Sequence, residues 1–321
     1  MNASSDGGRR PLRVFFLPFF ARGHLLPLTD LACRMAAARP AKVEATMVVT
    51  PANGTLIATT VTRAMDEGHS VRLLRYPFPD VGLESGVECL GAAAQHDAWR
   101  VYRAVDLSQP IHKKLLLEHR PDAVVADVPF WWVTDIAAEI GVPRLTFHPV
   151  GIFAQLALNN LYAIRSDIIR DGVAAPSVVV PGMPGKEIAI PPSELPGSSS
   201  RTPFFLWVGQ HQGGPARRLQ FINERLVTEV AAFGSRLWDG GKRNVRVDDA
   251  DTVPAEAIGQ AVAGFMDGGE RWDKMRSRAK ELAGKARAAV SENGSSWRDL
   301  HRLIDDLTEA RASRVPSYED S

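Results

Sequence analysis

Through the first half of the chain, apolar runs alternate with amphipathic stretches. The runs at 12–17, 43–49, 70–76, 122–126 and 144–148 read as strands. The stretches at 25–38, 53–66, 93–119, 131–140 and 151–165 carry the 3.6-residue apolar period of helices. Strands alternating with helices of this length predict βαβ units and a parallel sheet. Val124, Val125 and Ala126 form the short continuous apolar run of a strand buried on both faces, and Asp127 follows at its carboxyl end.

The texture changes between Ala174 and Thr202. Prolines and the run Gly197 to Ser200 interrupt any period there, which predicts a linker. Beyond it, Phe204 to Val208 reads as a strand and 219–233 as an amphipathic helix, and Pro254 opens a further helix from its first position. Two charged helices, about 270–291 and 296–311, finish the chain. Their bases Arg271, Lys274, Arg276, Arg278 and Lys280 alternate with acids and read as a solvated face. The second half offers one further strand, the weak Ser235 to Trp238, which is too few for a complete parallel sheet. The apolar faces Phe221, Leu226, Val230 and Ile258, Val262, Phe265 would therefore lack the sheet that should cover them.

Length and composition narrow the class. The 321 residues suit two domains, and 45% hydrophobic with 23% charged residues is ordinary for a globular protein. The 38 Lys+Arg balance 37 Asp+Glu to a net charge of +1, which argues against a nucleic-acid surface or a polybasic membrane patch. Cys33 and Cys89 are the only cysteines and carry no metal spacing, which fits a reducing, cytoplasmic location. The first apolar run is broken by Pro18, Arg22 and His24 and follows a polar tail, so it reads as a strand and not a signal peptide. No run of 18 apolar residues suggests a membrane span.

The candidate chemistry starts at His24. The strand Leu12 to Leu17 ends at Pro18, and a short loop delivers His24 to the start of a helix with the apolar face Leu25, Leu28, Leu31 and Met35. Open α/β folds bind ligands at such strand–loop–helix starts. The positive end of the helix dipole disfavours imidazolium, so the ring there can accept a proton. A partly exposed capping histidine is the plain alternative. For Asp127 the plain alternative is the N-cap of helix 130–140. His69 and His119 flank turns, His112 lies on a polar helix and His148 ends a strand; each reads as structural.

The segments PFFARGHLLPLTDLA, TPANG, PDAVVADVPFWWVTDIAAEIGVPRLTFH and VVPGMP, in this order, resemble the N-terminal domain of plant UDP-sugar-dependent glycosyltransferases over roughly residues 11–196. Within that family the group acting on phenolics, flavonoids and saponin aglycones is the most similar. FINERLVTEV, VPAEAI and GSSWRDLHRLIDDL resemble parts of the family's C-terminal domain. Between them the donor-binding signature, which runs from Trp-Ala-Pro-Gln through His-Cys-Gly-Trp-Asn-Ser to an acidic residue and Gln, is absent. Gln220 matches the closing glutamine, with Leu219 at the acidic position. The strand that should open the second domain, between Ser200 and Pro203, is missing too.

The resemblance implies an α/β, GT-B-like fold with a complete N-terminal Rossmann-like domain and a truncated C-terminal one. Its expected parts are a disordered tail at 1–10, an acceptor-binding domain at 11–196, a linker or deletion scar at 197–220 and the truncated donor domain at 221–321. It implies inverting transfer of a sugar, glucose first, from a UDP-sugar to a hydroxyl of a small lipophilic acceptor such as a phenolic, flavonoid or terpenoid. His24 would be the general base, since its ordinary pKa of ~6.5 suits the task. Asp127 would orient the ring and stabilise the imidazolium. Phe19, Gly23, Phe130, Trp131 and Phe153 would bind the acceptor, and Gln220 the donor. No metal or cofactor is implied, with the UDP-sugar as co-substrate. The second implied reading is an inactive remnant that binds acceptor-like molecules or a full-length partner. A hydrolase is disfavoured because no GxSxG elbow accompanies His24.

Overall fold

A computed structural model describes residues 10–164, 177–185, 187–191, 222–238, 240 and 251–314. Strands β1 (Leu12–Leu17), β2 (Val43–Val49), β3 (Val71–Arg75), β4 (Ala123–Asp127) and β5 (Arg144–Phe147) form a parallel sheet in the order β3-β2-β1-β4-β5. Helices α1 (Arg22–Ala38) and α2 (Pro51–Asp66) link the first three strands, and α3 (Ala98–Leu107) and α4 (Gln109–His119) precede β4. Helix α5 (Val133–Glu139) connects β4 to β5.

The unbroken apolar runs follow from burial on both faces of the sheet. Val14 and Phe16 point into one core with Leu25, Leu28 and Met35 of α1 and Ile57 of α2. Phe15 and Leu17 point into the other, with Val101, Leu116, Phe130, Trp132 and Ile136. The same two-residue alternation divides Ala123 and Val125 from Val124 and Ala126.

The chain forms two compact units, residues 1–149 with 295–321 and residues 150–294. Helix α6 (Ile152–Ala163), in the second unit, buries Ala154, Ala157, Leu158 and Leu161 with Val180, Ile188, Ile190 and Ile222. Strands β6 (Val178–Val179) and β7 (Ala189–Ile190) pair antiparallel, so this part of the expected linker is ordered against α6. Three helices close the chain: α7 (Ala255–Asp267), α8 (Glu270–Val290) and α9 (Ser295–Ala312). The division at 294 arises because α9 belongs with the first unit. Its Ile304 and Leu307 join the α1 core there.

Other differences are local. The single helix expected at 93–119 is a 3-10 turn, Gln95–Asp97, followed by α3 and α4. The break falls at Ser108, and Pro110, which has no N–H to donate, sits in the first turn of α4. Pro254 is the N-cap of α7 and not its first residue. Ser235 to Trp238 is irregular and pairs with no strand among the described residues. The expected strand Phe204 to Val208, Gln220, the 197–220 segment and the tail up to Arg9 lie outside the described residues. Helix α7 buries none of its residues: Ile258 is 42% exposed, Val262 54% and Phe265 40%. Each forgoes part of the ~1.5–3 kcal/mol that full burial of such a side chain contributes.

At the amino edge of the sheet, Asp122 gathers the ends of the first unit. Arg10 donates to its carboxylate through Nη1 at 2.6 Å and Nη2 at 2.9 Å, and the Arg13 N–H at 2.9 Å. Arg311 of α9 lies 3.8 Å away, and Arg314 donates to the Asp122 carbonyl. Burial works to raise this carboxyl's pKa, but the Arg10 and Arg13 hydrogen bonds and the charges of Arg10 and Arg311 outweigh it and hold it below the ordinary range. A carboxylate favoured by the fold contributes stability above the unfolded pKa of about 4 and loses it as pH falls through the folded value. Asp122→Asn is expected to cost about 1.5–3 kcal/mol at pH 7, the range for hydrogen bonds to a charged group. It should also remove part of the stability loss below pH 4. Urea melts at pH 7 and pH 3 check this, and an equal deficit at both would contradict it.

Candidate active site

The strand order makes the site. β1 leads outward to β2 and β3, whereas β4 and β5 lie on its other side, so the crevice beyond the carboxyl ends of β1 and β4 is a topological switch point. Leu17 pairs with Ala126, which sets the loop after β1 beside Asp127. That loop turns into α1 without a side-chain cap: Ala21 is the N-cap, and its carbonyl accepts the N–H groups of His24 and Leu25, each at 2.9 Å.

His24 Nδ1 lies 2.9 Å from Asp127 Oδ2. The Asp127 side chain is fully buried, and that of His24 is 25% exposed. Asp127 also accepts the Phe19 N–H on Oδ2 at 3.2 Å and the Val128 N–H on Oδ1 at 2.8 Å. Three donors thus converge on one buried carboxylate, which satisfies it and fixes its plane. With the proton on Nδ1 held toward Asp127, the tautomer leaves a lone pair on Nε2, on the far side of the ring. The arrangement can take a proton at Nε2 and stabilise the resulting imidazolium through Asp127. Neither plain alternative describes these residues. The His24 side chain does not cap its helix, and the N-cap of α5 is Trp132.

The structure separates the expected acceptor residues. Phe19 packs its ring against His24 at 5.0 Å and stacks on Tyr102 at 5.6 Å. Gly23 lies exposed beside His24, with open space where a Cβ would stand. Trp131, at the carboxyl edge after β4, is 48% exposed. Phe130 differs from the expectation. It is fully buried against Phe20, His112 and Trp132, because the turn after Asp127 folds its ring into the α3–α4 core. Phe153 belongs to the second unit and packs with the α6 core.

The sequence did not single out Tyr102 or assign His148 a place here. Tyr102 is signalled only by its position on the face of α3, and burial raises its hydroxyl pKa. His148 follows Phe147, the register partner of Asp127, and so stands beside the carboxylate. Burial lowers its pKa, the Asp127 charge opposes this, and Arg144 adds to the lowering. Only the pairing of β5 with β4 reveals that proximity.

Among the described residues, no group of three or more His, Cys, Asp or Glu is placed to hold a metal ion. None of the described helices is long and apolar enough to cross a membrane.

No protein-family model matches the chain. It is 37% identical over 188 residues to a UDP-glucose flavonoid 3-O-glucosyltransferase of Fragaria ananassa, covering 58% of this chain and 37% of that one. It is 36% identical over 190 residues to an anthocyanin 3'-O-beta-glucosyltransferase of Gentiana triflora, covering 58% and 38%. The matched part therefore spans less than two fifths of these curated relatives. Among solved structures, UGT73P12 of Glycyrrhiza uralensis, complexed with glycyrrhetinic acid 3-O-monoglucuronide, aligns with a TM-score of 0.81 at 21% identity over 94% of this chain and 96% of that one. A UDP-glucosyltransferase of Polygonum tinctorium aligns with a TM-score of 0.63 at 14% identity, over 96% of this chain and all of that one. These structural likenesses establish a GT-B-type α/β fold, in a chain shorter than its sequence relatives.

Proposed function

We propose, for a chain that belongs to the plant UDP-glycosyltransferases, that its first unit holds the acceptor and its deprotonation machinery for sugar transfer from a UDP-sugar. The 2.9 Å contact between His24 and the buried Asp127 at the switch point carries this reading. His24 Nε2 takes the proton of an acceptor hydroxyl as its oxygen attacks the anomeric carbon, while UDP leaves from the opposite face. The proton ends on His24, and Asp127 balances the new charge. No cofactor takes part; the UDP-sugar is the co-substrate, and glucose is the first sugar to test. The acceptor is a small lipophilic molecule with a hydroxyl, of the flavonoid, anthocyanin or terpenoid classes that the relatives' names record. Phe19, Gly23 and Trp131 are the residues of the first unit proposed to meet it.

Incubation of the full chain with UDP-glucose and a panel of flavonols and triterpenoid aglycones tests this reading, with glycoside and UDP read by mass spectrometry. Glycoside and UDP in equal amounts are the expected result. A second reading rests on the missing donor signature: the chain binds the aglycone and transfers nothing. Intrinsic fluorescence quenched by flavonols with no product would favour it. Neither quenching nor product would remove the acceptor site itself.

A further inference from the structure

Between β3 and the 3-10 turn Gln95–Asp97, residues 76–94 form neither helix nor strand. Connections of this length are uncommon in compact domains and usually serve a function. Arg100 of α3 ties the first half of the loop by donating to the Val81 carbonyl at 2.6 Å. Glu88, a buried carboxylate that the candidate chemistry does not use, ties the second half.

Glu88 serves a helix that does not cap itself. Thr50, the N-cap of α2, makes no capping bond through its side chain, and Pro51 follows it. Glu88 Oε2 instead accepts the Ala52 N–H at 2.7 Å, where the helix dipole favours a carboxylate. A second tie joins the backbone: the buried Asn53 donates through Nδ2 to the Glu88 carbonyl at 2.9 Å. Two residues further on, the Leu90 N–H donates to the Phe20 carbonyl at 2.9 Å. Phe20 immediately precedes Ala21, whose carbonyl holds the His24 N–H. Phe78, from the same loop, packs its ring on that of Phe20 at 5.4 Å. The loop after β1 is thus held from two sides, at the Phe19 N–H by Asp127 and at the Phe20 carbonyl by Leu90.

We propose that Glu88 is a positioning residue for His24. It anchors the loop after β3 on the first turn of α2. That anchor sets Leu90 against Phe20, and Phe20 sets the turn from which the His24 ring projects toward Asp127. A carboxylate suits the task, because its bond to an N-terminal N–H of a helix is charge-assisted and burial keeps water from competing for it. Asp127 fixes the ring from one end, and Glu88 fixes its backbone from the other. This role rests on the reading of His24 as the base.

Amide hydrogen exchange of the full chain and the nitrogen NMR shifts of the His24 ring test it without turnover. In Glu88→Ala the amides of Leu90 and of Phe19 to Leu25 should exchange about tenfold faster or more, while those of β4 and α5 hold. The ring shifts should move from the Nδ1–H tautomer toward a mixture of both. With the parent turning over, kcat should fall roughly 10- to 100-fold at unchanged KM for the flavonol, the scale on which small misplacements act. Glu88→Gln, whose amide oxygen still accepts from Ala52, should restore the exchange pattern, the tautomer and most of kcat. Asn53→Ala, which removes the second tie, should give the Glu88→Ala pattern in weaker form, and decides the matter if Glu88→Ala does not fold. A role confined to capping α2 would speed exchange at 52–55 alone and leave Leu90 and the tautomer as in the parent. That result overturns the proposal, as does a folded Glu88→Gln as impaired as Glu88→Ala. A parent without turnover removes the base reading, and exchange and tautomer still decide whether Glu88 sets the His24 turn.

Discussion

His24→Ala is expected to lower glycoside formation by roughly 10²–10⁴-fold, the usual contribution of a positioned general base. The loss should fall on kcat with little change in acceptor affinity, because Nε2 acts on the proton during transfer and supplies little of the lipophilic contact. Asp127→Asn should also lower kcat, since an amide cannot balance the imidazolium. Combining the two substitutions should cost far less than the product of the single effects, as for groups that act as a unit. Steady-state kinetics of the single and double variants with one flavonol settle the matter. Full activity in His24→Ala, or independent multiplicative losses, would remove His24 from the base role. If the parent only binds flavonol, the same variants should still quench with unchanged midpoints.

The second large effect lies behind the site, at His112. This side chain is 1% exposed, lies 3.0 Å from the Tyr76 hydroxyl through Nε2, and is packed by the rings of Phe130 and Trp132. Burial pushes its pKa down to about 3. A histidine lowered by the fold is neutral in the native state, so the unfolded chain takes up a proton first as pH drops below about 6.5. Stability is therefore complete above that pH and is lost as pH falls toward 3, by on the order of 4 kcal/mol. His112→Gln is expected to be less stable at pH 7.5 through lost packing, yet to flatten the acid limb between pH 6.5 and 4. Urea melts across that window decide it. Parallel decline of the parent and the variant would show that other groups carry the acid limb, and the Asp122 contribution is separable because it begins below pH 4.

Much of the candidate site was legible from local pattern. The apolar run ending at Pro18 and the periodic face from Leu25 placed His24 at a strand–loop–helix junction. The run Val124 to Ala126 placed Asp127 at a strand's carboxyl end. What remained hidden depends on long-range neighbours. His112 lay on a helix rich in charge, and only its spacing of four from Leu116 hinted that both share the buried stripe. Phe130 and Trp131 are adjacent in the chain, yet the turn after β4 buries one ring and exposes the other.

By itself the sequence determined the periods, and through them the elements, the α/β class and the two residues in the first turn of α1 and at the end of β4. It did so because backbone geometry repeats every 2 or 3.6 residues, and burial on one or both faces writes that repeat directly into the residue types. The order β3-β2-β1-β4-β5 was decided only in the tertiary structure, and with it the meeting of His24 and Asp127 across 103 positions of chain. The same holds for the return of α9 to the first unit. Such pairings depend on which apolar faces find each other and on buried polar groups such as Asp127 and Asp122 finding donors, and no local repeat encodes either choice.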